Sequence, residues 1–331
     1  MLSRRIFTVS LIAGLAAPYV SRASAQAFDD IRTSAREMDQ LHSIQIQLGD
    51  EPVLEEAFRG PGLDRPANIK SCSKSVVALL LGTAIDSGEI AGVEARLGDV
   101  APDIIPSDAT AGVADITMED LVTLRAGLEG TSGPNYGAWV NSSDWLAYAL
   151  RRPMIAQPGT RMIYSTGTTH ILGAALTAAS GESLLALARD RLGSKLGFQV
   201  PPWTRDPQGY YLGGNEMALT PRAMLAIARL IRDNGRSDGA QVIPADWVDA
   251  SLVRRTRSPF SGLGYGYGWF LSESGYVVAR GYGGQLIAAH PERRLAIAIT
   301  SDPTRPAYSR GYFGDLMQLL EGPVLSVSRE S

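Results

Sequence analysis

The segment Ile69-Lys70-Ser71-Cys72-Ser73-Lys74-Ser75 runs directly into Val76-Val77-Ala78-Leu79-Leu80-Leu81, a block that is apolar on every helical face. A helix of that kind is stable only inside a core, so the chain has to fold around it. Its start is expected near Ser71 and its end before Gly88, where Asp86-Ser87-Gly88 is a stop signal. Positions three apart share a helical face, which brings the Ser71 hydroxyl and the Lys74 amine within reach of each other. An ammonium at the head of a buried helix is expensive to desolvate. Burial lowers the lysine pKa, and a neutral amine can take the proton of a neighbouring hydroxyl. The plainer reading is an N-capping serine with a surface lysine one turn on. Lysine usage favours the first: of 31 basic residues only Lys70, Lys74 and Lys195 are lysine.

The chain has 331 residues, 45% of them hydrophobic, and a formal net charge of -3. That length supports one large or two intimate domains with a sizeable core. No basic stripe points to nucleic acid, and no apolar stretch is long enough for a membrane span in the mature chain. Cys72 is the only cysteine, so an intrachain disulfide is impossible. His42, His170 and His290 stand far apart and form no metal-ligand spacing, so no metal and no cofactor is expected. Residues 1–25 read as a signal peptide: Ser3-Arg4-Arg5-Ile6-Phe7, an apolar segment to Val20, then the small residues Ala23-Ser24-Ala25. The paired arginines resemble a twin-arginine export signal, and a plain secretory signal is the alternative. The expected location is a bacterial periplasm.

Along the mature chain, Phe28 to Leu41 reads as an amphipathic helix, and Ser43 to Leu48 and Pro52 to Arg59 as strands about Gly49-Asp50-Glu51. From Ile90 to Val253 the signals are mainly helical, with starts at Thr117-Met118-Glu119-Asp120 and Leu219-Thr220-Pro221. Tyr265 to Leu271, Tyr276 to Tyr282, Gln285 to His290 and Leu295 to Thr300 return to strand character, before a final helix from Tyr308 to Leu320. The expected architecture is an α+β fold with one antiparallel sheet built from both chain ends and flanked by helices. Residues 26–85 and 256–331 form the sheet region, and residues 86–255 a mainly helical insert, with the site at the seam.

Two further stretches carry chemistry. In Pro158-Gly159-Thr160-Arg161-Met162-Ile163-Tyr164-Ser165-Thr166-Gly167, a tyrosine ends a short apolar run. Tyr164 near Lys74 could stand partly as phenolate or relay the serine proton; otherwise it is a core tyrosine bonded to a loop carbonyl. In Arg280-Gly281-Tyr282-Gly283-Gly284-Gln285, glycines at a strand junction imply close approach to the backbone. The amides of Gln285 and Ser71 could there form an oxyanion hole, unless the glycines are only a bulge or tight hairpin.

The order S-x-S-K, P-G-T-x-x-x-Y-S and G-Y-G-G resembles the class C β-lactamase-like serine hydrolases over most of the mature chain, with Asn215-Glu216-Met217-Ala218-Leu219-Thr220-Pro221-Arg222 adding to the likeness. That family has the β-lactamase/penicillin-binding transpeptidase-like fold and includes D-alanyl-D-alanine peptidases, esterases and 6-aminohexanoate-dimer hydrolase. The resemblance implies Ser71 as the acylated nucleophile, Lys74 as its proton partner, Tyr164 as the second base, and Ser71 and Gln285 as oxyanion amides. It places Tyr282-Gly283-Gly284 where penicillin-recognising members have Lys-Thr-Gly, and puts Tyr136 in a substrate-contacting loop. Two departures favour the esterase and amide-oligomer hydrolase branch over β-lactamase: Tyr164-Ser165-Thr166 lacks the asparagine of Tyr-x-Asn, and Tyr282 and Gly283 remove a cation and a hydroxyl. The implied function is hydrolysis of a small ester or amide through a Ser-Lys-Tyr acyl-enzyme, with activity rising with pH along a limb that belongs to the coupled pair. The rivals are a binding or sensor protein without turnover, and a true β-lactamase or D-alanyl-D-alanine carboxypeptidase. His170 is expected to be packed, His290 solvated, Cys72 small and buried, and Ser73 to hold Lys74 or Tyr164 by a hydrogen bond.

Overall fold

Eight antiparallel strands form the main sheet because alternate apolar residues on both of their faces have to be covered. The computed structural model describes residues 22–328. The export-signal reading rests on residues 1–21, which lie outside them, and on residues 22–25, where the backbone is helical. In chain order the strands are β1 (Leu41–Leu48), β2 (Glu51–Ala57), β3 (Thr256–Arg257), β4 (Gly264–Tyr265), β5 (Phe270–Leu271), β6 (Val277–Gly281), β7 (Gln285–His290) and β8 (Leu295–Ser301). They lie in the order β2-β1-β8-β7-β6-β5-β4-β3, so the first two strands of the chain complete a sheet made otherwise by its C-terminal quarter. Ile44 faces Ile299, and Leu286 faces the same Ile299 from the other side.

Every residue of β7 and β8 is buried. On one face Leu286, Ala288, Leu295, Ile297 and Ile299 pack with Phe28 and Ile31 of the first helix, α1 (Arg22–Glu37), and with Phe313 and Leu316 near the C-terminus. On the other face Ile287, Ala289, Ala296 and Ala298 meet the core of the helical region. The small alanines there let a helix lie close to the sheet. The helix Ser73–Asp86, α2, is buried along most of its length, as an all-apolar helix must be. Its Gly82 admits the Trp247 indole, since a Cβ there would stand 2.4 Å from the ring. Two further helices matter for the site, α3 (Thr166–Ser180) and α4 (Pro221–Arg232). Ser165 and Thr220 cap them, accepting from Thr168 N and Ala223 N, with Pro221 in the first helical position. At Thr117 both halves of a capping box form with Asp120.

Four local expectations are corrected. The first helix ends at Glu37, and Leu41 opens β1, its side chain fully buried. The run Tyr265 to Leu271 splits into β4 and β5, because Gly266 N bonds to Trp269 O and makes a turn. The last helix starts at Tyr312 rather than Tyr308, after Gly311. His290 is buried rather than solvated: its Nε2 donates to Ser274 O at 2.8 Å, and Gly275 supplies the space, its missing Cβ lying 2.8 Å from the ring. Burial there lowers the His290 pKa. Among the described residues, no single helix is long and apolar enough to cross a membrane.

Candidate active site

Ser71 sits in a single 3-10 turn, Lys70–Cys72, that leads into α2. Lys70 is held at a φ of 51°, in the left-handed region that disfavours a side chain by about 1–2 kcal/mol. A polar network offsets that strain. Lys70 Nζ donates to Glu216 Oε1 at 2.8 Å, Asn68 Nδ2 to Glu216 Oε2 at 2.6 Å, and Lys70 N to Asn68 Oδ1 at 2.9 Å. Ser73 joins it, donating to Lys70 O at 2.6 Å and accepting from Met217 N at 3.2 Å. Ser73 therefore fastens the turn to the 215–217 loop and does not bond Lys74 or Tyr164, contrary to expectation.

Lys74 is 4% exposed and makes three contacts: Gly214 O at 2.6 Å, Ser71 Oγ at 3.1 Å and Thr166 Oγ1 at 3.3 Å. Desolvation lowers its pKa to about 7. A neutral amine has two N–H donors and one lone pair. Gly214 and Thr166 can take the donors, leaving the lone pair for the Ser71 hydroxyl. Thr166, which stands where the asparagine of Tyr-x-Asn is missing, is thus a partner of Lys74, and Ser132 Oγ lies 3.0 Å from the same hydroxyl.

Tyr164 lies against this pair, with Lys74 Nζ 4.9 Å from its ring centroid. Burial raises its pKa, while the neighbouring Ser71 hydroxyl and the Arg280 charge pull it down. The net direction is upward. That direction favours the phenol over the phenolate, and with it the relay.

These residues open into a cleft of about 970 Å³, whose lining includes Ser71, Tyr164, Tyr136, Arg280, Gly281 and Tyr282. Tyr136 opens a short helix, Tyr136–Val140, where a loop was expected, and its hydroxyl accepts from Asn215 Nδ2 at 3.0 Å. Asn215 Oδ1 is buried with no partner among the described residues. Asn215 and Arg280 lie in stretches that the sequence marks, yet neither is expected there as a site residue, since each matters through a neighbour distant in the chain.

The third stretch is arranged differently from expectation. Gly281 is the glycine against the Lys70–Cys72 turn: a Cβ there would stand 2.3 Å from Ile69 O and 3.1 Å from Lys70 Cβ. Gly283 and Gly284 turn the β6–β7 hairpin at φ of 83° and 92° and pack on Asp302 and Tyr312, away from the cleft lining. Gln285 is paired across the hairpin with Gly281, and its side chain bonds Ser301 O at 2.7 Å and Ser301 N at 3.1 Å. It does not line the cleft. Tyr282 does, 52% exposed at the rim, and among the described residues its amide has no hydrogen-bond partner. The expected motif is therefore displaced by three residues. The glycine facing the Lys70–Cys72 turn is Gly281, and the amide that follows it belongs to Tyr282.

His170 and Cys72 lie outside the cleft. The His170 Nε2 donates to Asp206 Oδ2 at 3.0 Å, and its Nδ1 accepts from Gly213 N, between the rings of Trp139 and Trp145. Asp206 also accepts from Tyr210 N at 2.8 Å, so the pair anchors the loop that ends at Gly214. Asp206→Ala is expected to destabilise the protein by about 3 kcal/mol, read as a lower urea midpoint at unchanged slope. Cys72 is fully buried beside Gln285 O, and burial pushes its thiol pKa up.

The family model described as Beta-lactamase matches residues 46–312. Among solved structures, a Bacillus anthracis protein assigned as a 6-aminohexanoate-dimer hydrolase shares the fold with a TM-score of 0.74 at 16% identity, over 89% of this chain and 80% of its own. EstCE1, described as a hydrolase with promiscuous acyltransferase activity, gives 0.74 at 15% identity, over 91% and 99%. A family VIII carboxylesterase gives 0.69 at 18% identity, over 92% and 98%. The search of curated proteins returns no match. With the family model covering most of the chain and these structures sharing its sheet and flanking helices, the chain belongs to the beta-lactamase family of hydrolases.

Proposed function

We propose that the protein is a serine hydrolase that cleaves an ester or amide bond through an acyl-enzyme on Ser71. The observation that carries this reading is the buried Lys74 amine, its pKa lowered to about 7, 3.1 Å from the Ser71 hydroxyl in an open cleft. Neutral Lys74 takes the hydroxyl proton as Ser71 Oγ bonds to the substrate carbonyl carbon. The amides of Ser71 and Tyr282 receive the oxyanion, in place of the Ser71 and Gln285 pair expected from sequence. Collapse breaks the bond to the leaving group, which takes a proton passed from Lys74 through the Tyr164 phenol. Water then adds to the acyl carbonyl, giving up its proton to the same pair, and the acid departs as Ser71 regains its hydrogen. The proposal includes export, on the amino-terminal segment, and treats residues 86–255 as an insert between the two parts of the sheet.

The test is intact-mass spectrometry after a fluorophosphonate, with a short-chain nitrophenyl ester assayed alongside and Ser71→Ala as control. Mass gain and turnover that both vanish in Ser71→Ala are the expected result. Labelling without turnover on any ester, amide or β-lactam would favour a sensor. No labelling would overturn the nucleophile.

A further inference from the structure

Arg280 is a cation at the edge of the cleft, without a counter-ion among the described residues. It precedes Gly281 on β6, so it stands one residue from the backbone that faces Ile69 and Lys70. Its guanidinium carbon lies 3.2 Å from the Phe313 ring centroid and 5.3 Å from that of Phe270. The contact from Nη2 to Ser309 Oγ, at 3.1 Å, is its one hydrogen bond among the described residues, and no carboxylate there lies within ion-pair distance. Cation–π contact offsets only part of the cost of burying an unpaired charge. Burial accordingly lowers the Arg280 pKa to about 10, still far above neutrality, so the charge remains. The other charged side chains on the lining are Lys70 and Glu216, which neutralise each other, and the exposed Arg310. The cleft therefore presents net positive charge to whatever enters it.

We propose that Arg280 is the anion-recognising residue of this cleft and that the substrates preferred by the hydrolase carry a carboxylate. The inference rests on the acyl-transfer reading for Ser71 and adds the class of substrate. A guanidinium whose one hydrogen bond is to Ser309 has N–H donors left to give, and its planar fork matches the two oxygens of a carboxylate. Phe260, Tyr282 and Tyr308 are exposed around the same cleft and offer contact to the apolar part of such a molecule.

Two esters of equal chain length separate the possibilities: mono-4-nitrophenyl adipate and 4-nitrophenyl hexanoate. Wild type should favour the adipate ester at least about tenfold in kcat/KM, through KM, and Arg280→Met should bring the ratio to about one. Arg280→Lys, which keeps the charge but loses the planar fork, should fall between, and it serves if the methionine variant does not fold. A wild-type ratio near one, or a ratio unchanged in both variants, overturns the proposal. Binding to Ser71→Ala is read separately by calorimetry, with monomethyl adipate against dimethyl adipate as probes. Binding of the monoester at least about tenfold tighter, lost on adding Arg280→Met and reduced on adding Arg280→Lys, supports the anion site. Equal binding overturns it. Failure of wild type to cleave either ester, with a clear preference for the monoester in calorimetry, would sink the acyl-transfer reading and leave Arg280 standing.

Discussion

Replacing Lys74 by methionine is expected to lower kcat/KM on a nitrophenyl ester by at least about 10³-fold, with the far-ultraviolet circular dichroism unchanged. The loss follows from geometry: among the described residues, Lys74 Nζ is the amine that meets Ser71 Oγ, and burial raises the pKa of the neighbouring Tyr164. The pH profile adds a sign. Lys74 acts as a base only when neutral, so wild-type kcat/KM should rise with pH through about 7. A limb centred near 10 would mean that the amine is not desolvated as the structure has it. Stability should move with the same proton. Between about 7 and the ordinary lysine value of 10.5, the unfolded chain holds a proton that the folded chain has released. Wild type therefore gains stability as pH rises through that window, by up to about 1.4 kcal/mol per pH unit. Lys74→Met has no such group, so its stability relative to wild type should be highest below pH 7. That advantage should shrink by about 3 kcal/mol between pH 7.5 and 10 in paired urea titrations. An advantage that stays constant would contradict the burial of a titrating amine. The linkage puts activity and stability in opposition at one residue, as is common for a buried catalytic group.

What could be read from the chain beforehand was local in sequence. Ser71 and Lys74 meet because three residues of helix bring them together, and the caps at Thr117 and Thr220 form because a side chain reaches a neighbour three positions on. The sheet was legible for a similar reason, since alternating apolar runs at both chain ends need a common partner. Three glycines within four residues are indistinguishable in the chain until the hairpin register decides which one faces Ile69. Tyr136 and Asn215 are 79 positions apart, and nothing in either segment announces the other. The environment of His290 depends on the absent side chain of Gly275 across a turn. Arg280 is informative through what it lacks, and a missing counter-ion is a property of three-dimensional packing alone.

That register makes a second large effect predictable. Gly281→Ala should lower kcat/KM by about 10²–10³-fold, with a much smaller loss of stability. Gly281 is not in the left-handed region, so its backbone accepts an alanine without strain and the effect is steric. The new methyl would stand 2.3 Å from Ile69 O, 2.9 Å from Gln285 Cβ and 3.1 Å from Lys70 Cβ. The strand cannot retreat easily, because β7 is buried behind it; the turn that carries Ser71 is the softer neighbour, already strained at Lys70. A shift of that turn by about 1 Å moves Ser71 Oγ away from Lys74, and displacements of that size cost about 10²-fold. Gly283→Ala and Gly284→Ala provide the contrast. Both would place a side chain at positive φ and against Asp302 O or the Tyr312 ring, at 2.3 and 2.4 Å, so their losses should appear first in the urea midpoint. If Gly281→Ala kept full activity while the other two lost it in proportion to population unfolded, the backbone beside Ser71 would have to be assigned to Gly283-Gly284 after all. The comparison of kcat/KM with unfolding midpoints across the three alanines therefore decides which glycine the nucleophile leans on.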